Sequence, residues 1–214
     1  MSRLMNSATL GLVLGFAAMV AVPVLAQPAA PPPPPSKDPT AAPAGTYKLD
    51  KDHESVIARI GHGGGFSFST VRFGATDGTL TWDPAHLENS KVTVTVDAKA
   101  NTGPIVYRVA PDAANLMNAV MFPTATFVST SVKRTGPTTG QIMGNLTLMG
   151  QTKPVVIDAT LVGAGKNGAG KPLVGFTGVM KIKRSDFGFT ALMGPIGDAV
   201  ELVIDAEFDG TPPG

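Results

Sequence analysis

The residues of this chain that could do chemistry are three histidines with acidic neighbours. His53 follows Asp50 and Asp52, while His62 and His86 lie further along the chain. Imidazole nitrogens and carboxylate oxygens are zinc ligands, so a zinc site drawing on the three histidines and Asp50 or Asp52 is one hypothesis. However, the spacing matches no helix-borne ligand pair, and each histidine lies beside a turn. The pattern favours solvated histidines with local hydrogen bonds, and we predict no metal site.

The same region carries a second hypothesis, a hydrolase that uses His53 and Asp50. Carboxylates such as Asp50 and Glu54 can act as acid and base when they are held at a fixed separation. In a turn-rich segment, acidic residues are more typical of turn formation. Ser67 lies outside any Gly-x-Ser-x-Gly nucleophile motif. The sequence therefore predicts a protein that is not an enzyme.

Residues 165–171, Gly-Lys-Asn-Gly-Ala-Gly-Lys, have the spacing of a phosphate-binding loop. Pro172 stands where that motif needs a serine or threonine, and no helix pattern follows. Without a helix, no row of backbone amides points at a phosphate. We predict a flexible hairpin loop here and no nucleotide or other cofactor.

Arg184 and Asp186 lie in a compact charged turn, Arg-Ser-Asp-Phe-Gly, between two apolar segments. The structural interpretation is that Arg184 and Asp186 form an ion pair or cap the turn. The functional interpretation is a polar contact, by Arg184 and Asp186, with the head group of a bound ligand.

Composition limits the class of partner. The chain has 214 residues, a formal net charge of +1 and 15% charged residues, against 43% hydrophobic residues. Nucleic acids and acidic lipids select for basic patches, so a near-neutral chain argues against both. Cysteine is absent, which excludes disulfide bonds and thiolate sites.

The first 46 residues resemble a leader and a spacer. Residues 1–26 have a positive start, an apolar core and the small-residue ending Val24-Leu25-Ala26, so we predict a cleavable signal peptide and a periplasmic protein. An uncleaved membrane anchor is the alternative. Residues 27–46 are rich in proline and alanine and include Pro31–Pro35. We interpret them as a linker rather than a docking motif, with the domain at residues 47–210.

The rest of the chain is dominated by extended segments. In the last two, apolar residues recur at every second position, as in Val174, Phe176, Gly178, Met180 and Ile182, and again from Val200 to Phe208. About eight or nine such segments occur at regular spacing, which predicts an all-β, antiparallel, eight-stranded barrel. One short helix is predicted at Ala110–Met117.

Phenylalanine and methionine recur at strand positions, and several strands are apolar on both faces, as in Pro154–Val162. Most of these side chains belong to a core. An eight-stranded barrel is either just filled by side chains or holds one small ligand, and the sequence leaves both alternatives open.

Six motifs in order carry a family resemblance. They are Tyr47–Asp50 with His53, Ile60–His62, Phe73–Gly78, Phe122–Phe127, Gly144–Pro154 and Arg184–Phe189. The chain from Tyr47 to Gly210 resembles the YceI-like family of polyisoprenoid-binding, lipocalin-like periplasmic proteins. The resemblance implies a lipocalin-like barrel with an isoprenoid lipid or quinone-like amphiphile in its lumen. Transient membrane contact and a homodimer are further expectations, and a structural or stress-protective domain with a filled barrel is the alternative.

On this interpretation the lumen is lined by apolar side chains from several strands and from the helix. The predicted lining residues are Phe68, Phe73, Leu116, Phe127, Leu146, Leu148, Phe176, Phe187 and Phe189. A register error of one residue would move any of them to the opposite face.

Overall fold

The computed structural model describes residues 34–103 and 118–210, and in these ranges eight antiparallel strands form a closed barrel. Each strand pairs with the next in the chain, and the last closes on the first. The strands are β1 Gly45–His62, β2 Ser67–Trp82, β3 Lys91–Asn101, β4 Thr124–Arg134, β5 Thr139–Leu148, β6 Gln151–Lys166, β7 Pro172–Lys183 and β8 Ile196–Gly210. The predicted eight-stranded barrel is confirmed.

The alternation of side chains explains which face is inside. In the β7–β8 pair, Phe176 lies opposite Ala206 and Met180 opposite Leu202. Because directly paired residues share a face, the two apolar rows read from the sequence form one continuous inner surface. Charged residues such as Lys181 and Glu201 pair on the outer face. This part of the prediction is also confirmed.

Residues 34–103 hold the three strands β1 to β3. The sequence predicts two extended segments here, Phe66–Phe73 and Ala75–Trp82, with a tight bend between them. This bend is wrong, because residues 67–82 form the single strand β2, with register shifts on either side of Ala75. A bulge adds a residue to a strand and bends it without ending it. The pairing of β1 with β8 has a similar shift between Leu49 and Glu54.

Two loops differ from the sequence-based prediction. The sequence predicts a hairpin turn at Gly150–Gln151, but the β5–β6 turn is Met149–Gly150, with φ of 49° and 72°, and Leu148 pairs with Gln151. Two successive positive φ angles are the signature of a type I′ hairpin turn. The glycine-rich segment 163–170 is not all loop, because β6 continues to Lys166. Its remainder is a hairpin loop in which the Asn167 side chain accepts the Ala169 and Lys171 backbone N–H groups.

Helical structure in the described ranges is limited to three short 3-10 turns, at Pro39–Ala41, Leu87–Asn89 and Arg184–Phe187. The predicted helix Ala110–Met117 and the predicted signal peptide lie outside the described residues. Across residues 34–103 and 118–210 there is no helix with the length and hydropathy needed to cross a bilayer.

The two ends of the barrel differ, and we name them by position. The proximal end holds the start of β1, the end of β2 and the β4–β5 hairpin; the distal end holds the β1–β2 turn and the β7–β8 loop. Before β1, residues 34–44 form a segment that we call the strap. Its Ser36 exchanges backbone hydrogen bonds with Ala164 of β6, at 2.9 Å each, and Ala42 is 0% exposed. Part of the predicted linker is therefore packed against the barrel, while its boundaries stay a prediction.

The distal loop is organised around the buried Arg184. Its Nε donates to Gly197 O at 2.8 Å and its Nη2 to Ile196 O at 3.0 Å. Its Nη1 donates to Phe189 O at 3.0 Å and to Ala191 O at 2.7 Å. The predicted pairing of Arg184 with Asp186 is replaced by these four carbonyls, because a planar fork of donors can satisfy several carbonyls at once. The acidic partner of this turn is Asp198, which accepts the Ser185 N–H and hydroxyl at 2.9 Å each.

We predict that Arg184→Ala lowers the free energy of unfolding by about 3 kcal/mol or more, because buried carbonyls lose charged donors. Arg184→Lys keeps the charge but loses the fork, so it should also destabilise, though less. Urea unfolding followed by circular dichroism measures both variants.

The control for Arg184 is Arg59→Ala on the outer face, where the expected loss is about 1 kcal/mol or less. Equal stabilities for the Arg184 and Arg59 alanine variants would contradict the role given to the four carbonyl contacts.

Candidate ligand-binding cavity

The barrel encloses an apolar cavity of about 300 Å³. Inward-facing residues of all eight strands line it, and the lining reaches from Lys91 and Pro137 at the proximal end to Arg184 and Ile196 at the distal end. Small-molecule sites in proteins are typically concave, mostly apolar and of about 300–1,000 Å³. The interior of an eight-stranded barrel is either filled by side chains or hollow, and the interior of this barrel is hollow.

Six of the predicted lumen residues lie in the cavity wall. They are Phe73, Phe127, Leu146, Leu148, Phe176 and Phe189. They come from four strands and the distal loop, so no single element makes the site. Contact between these side chains and a ligand remains a prediction.

Phe68 does not lie in the wall, and this corrects the prediction for that residue. It is 58% exposed, and the Arg59 guanidinium carbon lies 3.7 Å from its ring centroid on the outer surface. Phe68 and Phe73 are five residues apart on one strand, and an odd separation puts two side chains on opposite faces unless a bulge intervenes. The spacing in the sequence therefore indicates that only one of Phe68 and Phe73 faces the lumen.

The two remaining predicted lumen residues are Phe187 and Leu116. Phe187 is fully buried, but it packs in the core with Phe127 and Met180 and is absent from the described cavity lining. It lies on the 3-10 turn Arg184–Phe187, within the charged turn that the sequence predicted between the two apolar segments. Leu116 lies outside the described residues.

Much of the wall consists of residues that the prediction did not name. Aliphatic side chains from β1, β3 and β8 contribute, together with one indole. These residues include Val56, Ala58, Val92, Val94, Val96, Leu202, Ile204, Ala206 and Trp82. The period-2 pattern of β3 and β8 was sufficient to find most of them, but a search for aromatic residues passes over small and aliphatic ones.

The wall also carries an indole with an unsatisfied donor. Trp82 Nε1 is buried without a hydrogen-bond partner in the described part of the chain. Its ring meets Phe176 edge to face, with centroids 5.6 Å apart. Since Trp82 is the single tryptophan of the sequence, its fluorescence reports on this wall alone.

The cavity meets solvent at the proximal end. Lys91, Arg134 and Pro137 line it there and are exposed. Arg134 donates from Nε to Gly136 O and from Nη2 to Pro137 O, at 2.9 Å each, which fixes its side chain along the β4–β5 hairpin. Pro39 of the strap and Leu87 complete this mouth. The mouth is thus polar at its rim and apolar immediately inside.

The distal end differs because its one lining cation is already satisfied. Arg184 reaches the cavity, but its four hydrogen bonds go to backbone carbonyls. Asp186 is exposed and does not belong to the described lining. A head-group contact by Arg184 or Asp186 stays a prediction, to which the described contacts add nothing.

The three histidines do not meet. His62 ends β1 at the distal end, while His86 Nδ1 lies 3.8 Å from Asp83. His53 Nδ1 lies 2.9 Å from Asp50 Oδ2, and these two residues with Glu207 have potential metal-ligand atoms within 4.8 Å of one another. The hydrogen bond to Asp50 raises the pKa of His53 and lowers the pKa of Asp50. This partly exposed cluster has the ligand types of a cation site, but its three residues do not belong to the described cavity lining.

Glu54 is a buried carboxyl group on β1. Its Oε2 has no hydrogen-bond partner among the described residues. Desolvation raises the pKa of this carboxyl, and a hydrogen bond from the Ala75 backbone together with the charge of Arg72 opposes that shift only in part. An uncompensated buried charge destabilises the fold.

The Glu54 environment predicts a pH dependence. A carboxyl whose folded-state pKa lies above its unfolded value contributes most stability below the unfolded pKa, and that contribution is lost as pH rises through the folded pKa. Glu54→Gln removes the titration, so the melting temperature of the variant minus that of the wild type should increase between pH 4 and pH 7.5. Calorimetry at several pH values measures this difference in melting temperature, and Glu201→Gln on the outer face is the control. A difference that stays constant with pH would contradict the assignment.

Comparison with known proteins gives a consistent relationship. Residues 47–208 match the family model described as YceI-like domain. The chain is 40% identical over 169 residues to protein YceI of Salmonella arizonae, covering 78% of this chain and 87% of that protein.

Among solved structures, BcnA of Burkholderia cenocepacia superposes with a TM-score of 0.63 at 23% identity, covering 74% of this chain and 98% of that one. A polyisoprenoid binding domain from Saccharophagus degradans, implicated in plant cell wall breakdown, superposes with a TM-score of 0.55 at 15% identity. The match covers 77% of this chain and 98% of that domain. At these identities the two structures support the fold. The family model and the sequence relative go further, and the resemblance inferred from the six motifs is confirmed: this chain belongs to the YceI-like family.

Proposed function

We propose that this protein is a non-enzymatic periplasmic carrier that holds a long-chain isoprenoid, such as a quinone, or a similar amphiphilic lipid in the barrel lumen. The observation that carries the proposal is the continuous apolar cavity, open at the proximal mouth and lined along its length by strand residues. A solved domain of the same fold is described as polyisoprenoid-binding, which supports a ligand of this class.

The chemistry of the wall fits an apolar chain. Its polar side chains are Ser90, several threonines and three cations, two of which, Lys91 and Arg134, lie at the mouth. Burial of a hydrocarbon tail stabilises a complex by roughly 0.8 kcal/mol per CH₂ group. A wall of this composition binds by exclusion of water and supplies no arrangement of nucleophile, acid and base.

The distal loops support transient membrane contact at the end of the barrel opposite the mouth. Exposed apolar side chains lie in these loops, and Phe66 is 96% exposed. The others are Val120, Met121, Leu192 and Met193. The two loops that contribute Phe66 and Leu192 are adjacent, since Gly64 N donates to Pro195 O at 3.4 Å. Periplasmic export rests on the predicted signal peptide. A homodimer stays a prediction from the sequence alone.

The alternative is a structural or stress-protective domain whose barrel is filled and which acts through its surface. The cavity of about 300 Å³ favours the carrier, because a barrel that serves only as a scaffold gains stability when side chains fill its interior.

The first test of the carrier uses the purified full-length protein. We expect native mass spectrometry after gentle purification to detect a co-purifying lipid. Delipidated protein should bind a long-chain ubiquinone with quenching of Trp82 fluorescence, because the quinone would lie against the wall that contains this indole. Protein that carries no lipid and takes up no ubiquinone would favour the filled-barrel alternative.

A second test blocks the lumen without touching the surface. Ala159 lies in the wall between Gly140 and Gly178 of the neighbouring strands, so Ala159→Phe has lateral room and fills the cavity. We expect its affinity for ubiquinone to fall at least about tenfold, equivalent to about 1.4 kcal/mol.

The matched control is Val156→Phe on the exposed outer face of the same strand. It adds a ring to β6 but should leave the affinity for ubiquinone unchanged. Equal affinities for the two phenylalanine variants would show that the ligand does not occupy the lumen.

A further inference from the structure

We propose that the strap, residues 34–44, is a closure over the proximal mouth that sets the rate of ligand exchange. The inference rests on the proposed function, because it assigns a role in ligand exchange to a segment outside the barrel strands. The residues that match the YceI-like family begin at 47, so the strap precedes the shared domain. Its contacts nevertheless make it part of the cavity.

The strap is fixed along β6 by directional contacts. The Ser36 and Ala164 backbones exchange two hydrogen bonds of 2.9 Å, and Lys37 Nζ donates to Val162 O at 2.6 Å. These backbone groups are available because the pairing of β6 with β5 ends at Thr160, opposite Thr139, while β6 continues to Lys166. On its other side, the β6–β7 pairing has a bulge between Leu161 and Gly163.

A close approach at Gly163 fits the strap to this bulge. A Cβ atom at Gly163 would lie 2.6 Å from Pro35 Cβ. Any larger residue there would push the strap away from β6. The absence of a side chain at Gly163 is therefore a condition for the closed position.

The central part of the strap reaches the mouth. Asp38 accepts the Thr40 backbone N–H at 2.9 Å and so caps the 3-10 turn Pro39–Ala41. This turn holds Pro39, which is buried and lines the cavity. The Thr40 hydrogen bond lowers the pKa of Asp38, and Arg134 on the opposite rim lowers it further. The strap thus extends from β6 toward the rim that β4 provides.

The far end of the strap is tied to β1. Tyr47 Oη donates to Pro43 O at 2.6 Å, and Ala42 packs in the core cluster that contains Trp82 and Phe208. Between this anchor and the Ser36–Ala164 bridge, the hydrogen bond from the strap to the barrel is Lys37 Nζ to Val162 O, so a local opening would break few directional contacts. Opening at the β6 side would remove Pro39 from the wall and enlarge the mouth.

The test locks the strap with a disulfide. In an antiparallel hydrogen-bonded pair the Cα atoms lie about 5.5 Å apart, which is within the range of disulfide geometry. The variant Ser36→Cys/Ala164→Cys therefore suits oxidation, and the natural chain has no cysteine that could interfere. We expect oxidation to slow ubiquinone release, followed by Trp82 fluorescence, at least about tenfold. Dithiothreitol should restore the rate. Equal release rates in the oxidised and reduced forms would overturn the proposal.

Two further variants make the outcome specific. A disulfide between Thr147→Cys and Thr152→Cys, whose hydroxyls are 2.8 Å apart on the β5–β6 hairpin, should leave release unchanged. If this link slows release and the strap link does not, exchange occurs elsewhere and the strap is not the closure. Gly163→Val, which displaces Pro35, should accelerate release several-fold; a rate at or below that of the wild type would contradict the inference.

A readout without lipid separates this proposal from the proposed function. Acrylamide quenching of Trp82 in the empty protein should decrease when the strap is oxidised and increase in Gly163→Val. If no variant binds ubiquinone but quenching follows the strap, the carrier function fails and the closure stands. If ubiquinone binds and neither release nor quenching responds, the closure fails and the carrier function stands.

Discussion

The whole structure depends on one constraint, the pairing of β8 with β1 that closes the sheet. Once eight strands are closed, the alternation of side chains assigns every residue to the inside or the outside. The inner faces then have to be either packed or hollow. Here small residues such as Ala58, Ala159 and Gly178 occupy inner positions beside Phe176 and Met180. The hollow interior therefore arises from residue size at positions whose direction is already fixed by closure.

Closure also determines where polar groups can lie. The interior accepts a guanidinium only where backbone carbonyls satisfy it, as four carbonyls satisfy Arg184 at the distal end. The exposed cations Lys91 and Arg134 lie instead at the proximal mouth, in contact with solvent. The two ends of one apolar cavity are thus chemically different, with a hydrogen-bonded distal loop and a polar proximal rim. For the proposed amphiphilic ligand, such asymmetry would favour one direction of entry.

The sequence predicted the barrel, its strand number and most of the inner rows, because period-2 patterns in β3, β7 and β8 are local and unbroken. Phe68 was misplaced because strand parity was not carried through from Phe73. The bend after Phe73 was misplaced because a bulge and a turn have similar local sequences. The strap could not have been predicted, since its contacts with Ala164 and Val162 join segments more than a hundred residues apart. The cavity depends on the sum of side-chain volumes around the barrel, which no single segment contains.

The neighbouring positions of the first and last strands have a practical consequence for anyone who handles this protein. Tyr47 and Gly210 are paired across β1 and β8, so the chain enters and leaves the barrel at the same end, beside the opening. A fusion partner joined directly after Gly210 would lie beside that opening, whereas the glycine turn Gly63–Gly65 lies at the opposite end. Attachment of a probe or a surface linker at this turn would immobilise the molecule with its opening facing the solution.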